Sequence, residues 1–355
     1  MSKRSGPIRV LVVEDSPTAR SLLVSLLDQD PEIQVVGTAL DGIQAVRGAI
    51  DLRPDLITMD IHLPRLNGLE ATRQIMRAAP APIVIVTADL NRSDMDLTFE
   101  AIRVGAVSVV RKPGRGDVES CAQVVQTVRL MADVPVVHRW SGVTGKLTAR
   151  EQAVIRPNRL EALQERSLRI IGIAASTGGP AALATVLKPL PADYPLPILV
   201  VQHITPGFAG SLADWLNGEL SLHVRLAEQG EVAPPGTVLF APDNCHMQVG
   251  EQGEVILHKQ PPHKGSRPSA DYLFISLANH YQDQALGVIL TGMGDDGVEG
   301  LAELHRRGGL VLAQDEATSV VYGMPQAAAK RKVVDQVLPV GLIGPALMRL
   351  SKERG

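Results

Sequence analysis

Short apolar runs alternate with helix-patterned segments along this chain, and the residue just past each run is often one that carries chemistry. In the first 130 residues the runs fall at 8–13, 33–36, 55–59, 82–86 and 106–110. Helical patterns lie between and after them, at 21–27 and around 41–50, 68–78, 92–103 and 117–130. Apolar runs this short, with no polar alternation inside them, predict strands buried on both faces. Such strands belong to a parallel sheet covered by helices. In open sheets of that kind, chemistry gathers outside the carboxyl ends of the strands.

The strand ends are therefore the places to look. The first run stops at Glu14-Asp15, the third at Asp60, the fourth at Thr87, and the fifth at Lys112, which precedes Pro113. This places three carboxylates, a hydroxyl and an ammonium on one rim. Crowded acids repel one another unless a cation neutralises them, and hard oxygen donors with room for water suit Mg²⁺. With the ion seated, one carboxylate could attack a phosphoryl donor while Thr87 and Lys112 hold the phosphoryl oxygens. Taken singly, an acid after a strand is usually a helix N-cap and a lysine a solvated charge. The coincidence of four strand ends favours the chemical reading.

Alternation lapses over residues 131–167, which read as an interdomain linker with a short helix near 147–155 or 159–166. His138, Arg139 and Trp140 are expected to anchor it. It resumes with a buried run at 168–174 that ends in Ala175-Ser176-Thr177-Gly178-Gly179-Pro180. A serine at a strand-to-helix turn either caps the helix or stands above the sheet as a nucleophile near backbone N–H groups. The run at 196–201 ends in Gln202-His203, and that at 285–290 in Thr291-Gly292-Met293-Gly294-Asp295-Asp296. Ser176, His203 and Asp296 thus compose a Ser–His–Asp set, each at a strand's carboxyl end. In that set the histidine takes the serine proton, and the acid holds the imidazole tautomer and stabilises the imidazolium. Backbone N–H groups near Thr177 or Met293 could hold an oxyanion. The reaction class is ester or amide hydrolysis. Three other readings stay open at this level: a phosphate loop at STGGP, a metal bound by Asp295 and Asp296, and a non-catalytic regulator. His246 is expected on a cleft wall, and His223, His258, His280 and His305 on the surface or in packing.

Composition removes other classes. The chain has 355 residues and a formal net charge of −3, with aromatic residues at 3%. That length suggests two or three domains. Near-neutral charge and scarce aromatics disfavour nucleic-acid binding by bulk charge or base stacking. Cys121 and Cys245 lie far apart without ligand spacing, which disfavours a disulfide framework or zinc site. No apolar stretch approaches the roughly 18 residues of a membrane span, and no signal peptide is evident, so a cytoplasmic location is expected.

Two resemblances sharpen this reading. VLVVEDSPTAR, DLITMDIHLPRLNGLEATRQIM, PIVIVTA and VVRKP resemble the response-regulator receiver domain. By that resemblance Asp60 is the phospho-acceptor, Glu14, Asp15 and Asp60 hold Mg²⁺, and Thr87 and Lys112 contact the phosphoryl group. Departures are Val109 in place of a usual aromatic, Asn67 where the turn often has Asp, and His62-Leu63 for an acidic-Met pair. AASTGGP, VVQHITPGFAGSLADWLN, RPSADYLF, GVILTGMGDDGVEG and GGLVLAQDEATSVVYGMPQAA resemble the catalytic domain of chemotaxis protein-glutamate methylesterases, the CheB family. There Ala174 replaces a usual Gly, and Asp295 occupies a variable position. The fold class implied is α/β. A (βα)5 flavodoxin-like receiver domain at 7–130 joins, through the linker at 131–167, a second doubly wound, mostly parallel α/β hydrolytic domain at 168–350. The resemblance implies hydrolysis of glutamyl methyl esters on the cytoplasmic helices of methylated chemoreceptors, releasing methanol. It also implies deamidation of receptor glutamines, as in many members. Ser176, His203 and Asp296 match the triad, with Thr177 and Met293 lining the site and Met293 contributing to the oxyanion hole. Mg²⁺ is implied at the receiver domain and no cofactor for hydrolysis. The implied partners are a chemotaxis-type histidine kinase and the receptor, with no nucleic acid and no membrane insertion. A receiver fused to a hydrolase further implies that phosphorylation at Asp60 gates the Ser176 cleft.

Overall fold

All five expected runs of the first part become strands in a computed structural model, which describes residues 6–87, 92–114, 116–134 and 167–351. They are β1 (Ile8–Val13), β2 (Ile33–Ala39), β3 (Leu56–Met59), β4 (Ile83–Thr87) and β5 (Ser108–Arg111). The helices following them are α1 (Pro17–Asp28), α2 (Gly42–Leu52), α3 (Gly68–Ala78), α4 (Arg92–Arg103) and α5 (Val118–Met131). The strands are parallel in the order β2-β1-β3-β4-β5, the flavodoxin-like order, whose direction of winding reverses between β1 and β3. Val10–Val13 of β1 and all of β3 and β4 are buried, as the unbroken apolar runs require.

Short polar side chains start the helices. Ser16, Asp41 and Asn67 accept hydrogen bonds from the backbone N–H groups of Ala19, Gln44 and Glu70. Each such cap stabilises its helix by about 1 kcal/mol. Asn67 thus serves as the N-cap of α3, a role Asn and Asp perform about equally well. Thr87 lies within β4 rather than past it, one residue beyond the expected strand end.

The chain divides into two compact units, Met1–Val143 and Thr144–Gly355. Apart from 131–134 and 167, the expected linker lies outside the described residues, as do its expected helix and His138, Arg139 and Trp140. Met131 is the last residue of α5.

The second unit contains β6 (Ile170–Ala175), α6 (Gly179–Leu187), β7 (Ile198–Gln202), α7 (Ala209–Glu219), β8 (His223–Leu226) and β9 (Thr237–Phe240). A hairpin of β10 (His246–Val249) and β11 (Val255–His258) follows, then α8 (Ala270–His280) and β12 (Ala285–Ile289). The unit ends with α9 (Val298–Arg306), β13 (Leu310–Gln314), α10 (Met324–Lys330), β14 (Gln336–Leu338) and α11 (Val340–Leu350). Seven parallel strands run in the order β14-β13-β12-β6-β7-β9-β8. Winding reverses between β6 and β12; β6 pairs with both β12 and β7. The crevice at such a switch point is where open α/β sheets bind ligands. The sequence reading did not separate β8 to β11, whose segments are four residues each. Strands that short, interleaved with polar residues, give little periodic signal. Leu199, Val201, Met247, Phe274, Leu277 and Leu301 lie in the core that packs helices on the sheet.

Candidate active site

The first rim assembles as expected. Glu14 follows β1, Asp60 follows β3 and Lys112 follows β5, so three loops converge beside the β1/β3 reversal. Lys112 Nζ lies 2.7 Å from Asp60 Oδ2 and 2.8 Å from Glu14 Oε2. The N–H of His62 donates to Asp60 Oδ1 at 3.2 Å. The N–H of Lys112 donates to the carbonyl of Thr87 at 2.8 Å, which joins the ends of β4 and β5. Glu14 and Asp60 are buried, whereas Asp15 is exposed.

Burial pushes the Glu14 carboxyl above its ordinary value, and the Asp60 charge adds to that, against the pull of Lys112. Burial alone would lower the Lys112 ammonium, but hydrogen bonds to Asp60 and Glu14 outweigh it and hold the pKa up. Glu14, Asp15 and Asp60 each place an oxygen within 4.8 Å of the others. The Lys112 ammonium pairs with two of these three carboxylates, so among the described residues the rim gathers more acids than cations, on hard oxygen donors. A Mg²⁺ ion fits that donor set.

The second rim brings together the serine, the histidine and the acid at the ends of three neighbouring strands, β6, β7 and β12. Ser176 is the first residue past β6, and its N–H donates to Thr291 O at 3.0 Å across to the loop after β12. The N–H of His203 donates to Ala175 O at 2.9 Å, which sets β7's end beside it. His203 Nε2 lies 2.8 Å from Asp296 Oδ2. Since the ionised acid can only accept, the proton between them is on Nε2, and in the neutral imidazole Nδ1 keeps the lone pair. Among the described residues the Ser176 hydroxyl makes no hydrogen bond, to His203 or to any other group.

The turn at Ser176 admits little bulk. A Cβ on Gly292 would lie 2.7 Å from Ser176 Cβ, so only glycine lets the β12 loop come this close. Gln202, 5% exposed, donates from one Nε2 to Ser176 O and to His203 O, each at 2.8 Å. A single amide thereby ties the backbones of Ser176 and His203. It occupies the space that Gly179 leaves: a Cβ there would lie 1.9 Å from Gln202 Oε1. Thr291 fastens the facing loop, its hydroxyl donating to Thr177 O at 2.9 Å and accepting from Val321 N at 2.9 Å. The N–H groups of Ser176, Gly179 and Gly292 are all committed to carbonyls. Those of Thr177 and Met293 donate to no acceptor among the described residues. Met293 is 41% exposed.

Asp296 is 5% exposed. Burial would raise its pKa, but hydrogen bonds from His203, Ser269 and Ala270, together with the His203 charge, hold it below the ordinary value. Asp295 points outward, its side chain 64% exposed and 3.9 Å from Lys264 Nζ.

His246 is a correction. Its expected place on a cleft wall is replaced by complete burial, with Nδ1 accepting from Ser269 N and Nε2 facing Pro261 O. Its ring packs on Tyr272, 4.3 Å between centroids, because the β10–β11 hairpin folds back over the start of α8. Sequence reasoning gave no role to Gln202 or Ser269. Both lie inside quoted motifs, VVQH and RPSADYLF, but neither residue type signals a partner so distant in sequence.

Comparison with known proteins agrees with the two-part geometry. Residues 10–121 match the response regulator receiver domain and residues 171–347 match CheB methylesterase. A protein-glutamate methylesterase/protein-glutamine glutaminase of Nitrosospira multiformis is 44% identical over 352 residues, 98% of each chain. One from Myxococcus xanthus is 45% identical over 339 residues, 94% of each chain. The crystal structure of the Thermotoga maritima CheB methylesterase catalytic domain is 40% identical, with a TM-score of 0.50, covering 52% of this chain and 99% of that one. The chain belongs to the protein-glutamate methylesterase/protein-glutamine glutaminase family, with a receiver domain ahead of its CheB methylesterase domain.

Proposed function

We propose that this chain hydrolyses γ-glutamyl methyl esters on chemoreceptors at Ser176, under the control of phosphorylation at Asp60. The observation that carries the hydrolytic half is the 2.8 Å pair of His203 Nε2 and Asp296 Oδ2 on the rim that bears Ser176. With Nε2 committed to Asp296, Nδ1 is the nitrogen that receives the Ser176 proton. The serine oxygen then attacks the ester carbonyl, and the oxyanion is held by the N–H groups of Thr177 and Met293. Collapse expels methoxide, which leaves as methanol with the proton from the imidazolium. Water, deprotonated by the same Nδ1, cleaves the glutamyl–serine ester and frees the glutamate and Ser176. A receptor glutamine enters the same sequence with ammonia as leaving group.

At the receiver rim, Asp60 accepts a phosphoryl group from a chemotaxis-type histidine kinase. Glu14, Asp15 and Asp60 hold Mg²⁺, which when bound supplies charge neutralisation to the rim. Lys112 and Thr87 hold the phosphoryl oxygens. Support comes from the convergence of Glu14, Asp60 and Lys112 on loops after β1, β3 and β5, from Thr87 at the carboxyl end of β4, and from the receiver match. We assign residues 7–130 to the receiver domain, 131–167 to the linker and 168–350 to the hydrolase. Among the described residues no helix is long and apolar enough to cross a membrane. The substrate helices are cytoplasmic, and so is the proposed site of action.

Methanol release from a methylated receptor, with and without the kinase, tests the whole reading. Release that requires Ser176 and rises on phosphorylation is expected. Equal release by a Ser176→Ala chain would overturn it.

A further inference from the structure

Asp296 is held in an unusual way. Its carboxylate receives Ser269 Oγ on Oδ1 at 2.6 Å, Ala270 N on Oδ2 at 2.7 Å, and Asp271 N on Oδ1 at 3.4 Å, in addition to His203. Ala270 and Asp271 are the first two residues of α8. Their N–H groups are among the four that a helix leaves unpaired at its start.

Ser269 stands at the N-cap of α8, where a serine hydroxyl ordinarily accepts from the second or third N–H of its own helix. Here it makes no such bond and turns its hydroxyl onto Asp296 instead. The acid, from a loop 27 residues further along, takes over the cap. The positive end of the helix thus faces the ionised carboxylate.

Ser269 is itself fixed from behind. It is wholly buried, and its N–H donates to Nδ1 of His246 at 3.2 Å. The other ring nitrogen of His246 lies 3.2 Å from the carbonyl of Pro261. A neutral imidazole with its proton on Nε2 satisfies both contacts, and burial, which lowers the His246 pKa, favours the neutral form.

From this arrangement we infer that Ser269 is a positioning residue for hydrolysis: its hydroxyl, aimed by His246, locks the Asp296 carboxylate in the orientation that holds His203. The inference rests on the triad reading given above. Ser269 touches neither the nucleophile nor the base, so it acts through Asp296 alone. Its loss lowers turnover and leaves substrate binding unchanged.

A double-mutant cycle on the full chain tests this, with methanol release from a methylated receptor as the assay. Ser269→Ala is expected to lower kcat by about 10- to 100-fold with KM unchanged, the effect of deleting one hydrogen bond to a buried charge. In an Asp296→Ala background the same substitution is expected to change kcat by less than about twofold, because nothing is left to position. An equal fractional loss in both backgrounds, or a rise in KM at constant kcat, would assign Ser269 to the fold or to substrate binding and overturn the inference. So would an unchanged kcat in Ser269→Ala. Full activity in Ser176→Ala and Asp296→Ala chains would instead remove the triad, a result distinguishable from all of these.

Discussion

Asp60 and Asp296 occupy comparable places, each following a parallel strand near the point where its sheet reverses winding, and each is almost fully buried. Their surroundings differ in one respect. A carboxylate offers about four lone-pair directions. Asp296 receives four donors, from His203, Ser269, Ala270 and Asp271. Asp60 receives two among the described residues, the Lys112 ammonium and the His62 N–H. An acid that must orient a neighbour is saturated and cannot turn. Asp60, proposed to attack phosphorus, keeps unshared pairs and one ammonium as counter-charge. The same amino acid, on the same kind of rim, is thus fitted for two tasks by the donors its fold supplies.

The largest effect that would break this contrast concerns the nucleophile. Ser176→Ala is expected to lower methanol release by about 10³- to 10⁶-fold. Near-normal release would mean that Asp296 orients a base with nothing to deprotonate. Next comes Asp60→Asn, which removes the attacking carboxylate. Incubated with the kinase and labelled phosphodonor, this chain is expected to take up no acid-labile phosphate and to keep its unstimulated esterase rate. Phosphate uptake by the variant would place the acceptor elsewhere.

A smaller effect is expected at Gln202. In Gln202→Glu an acceptor oxygen replaces the donor that faces two carbonyls, so the clamp between Ser176 and His203 opens. A fall in kcat of about 10-fold or more is expected, and an unchanged rate would show that the rim needs no clamp.

The smallest effect sharpens the account of Asp296 itself. Its native pKa lies below the ordinary 3.8, so its ionised form stabilises the native state. That contribution is complete above about pH 3.8 and disappears as pH falls through the lowered native value. Urea unfolding of wild-type and Asp296→Asn chains between about pH 6 and about pH 3 reads it, since the variant cannot titrate there. The wild-type midpoint is expected to fall relative to the variant's at the acid end. A pH-independent difference would mean that the four donors do not favour the charge.

Much of this was legible before any coordinates. Ser176, His203 and Asp296 each follow an apolar run, and so do Glu14, Asp60 and Lys112, because a parallel strand must be apolar throughout and must hand its polar residue to the rim. Asn67, an apparent departure from the receiver pattern, proved to be a helix cap whose role Asn fills as readily as Asp. His246 misled: expected on a cleft wall, it is buried because the β10–β11 hairpin, distant from α8 in sequence, packs it against Tyr272.

Linear order therefore determined the strands that carry the two rims, β1, β3, β4, β5, β6, β7 and β12, and which residues follow or end them: Glu14, Asp60, Thr87, Lys112, Ser176, His203 and Asp296. Periodicity and strand polarity are local properties, readable from neighbours along the chain. Only tertiary structure decided that Nε2 of His203 faces the acid, that the Gln202 amide joins two strand ends, and that Ser269 leaves its own helix for Asp296. Those contacts span 93 and 27 residues for His203–Asp296 and Ser269–Asp296. Their direction depends on side-chain rotamers chosen by packing, for which adjacent sequence holds no signal.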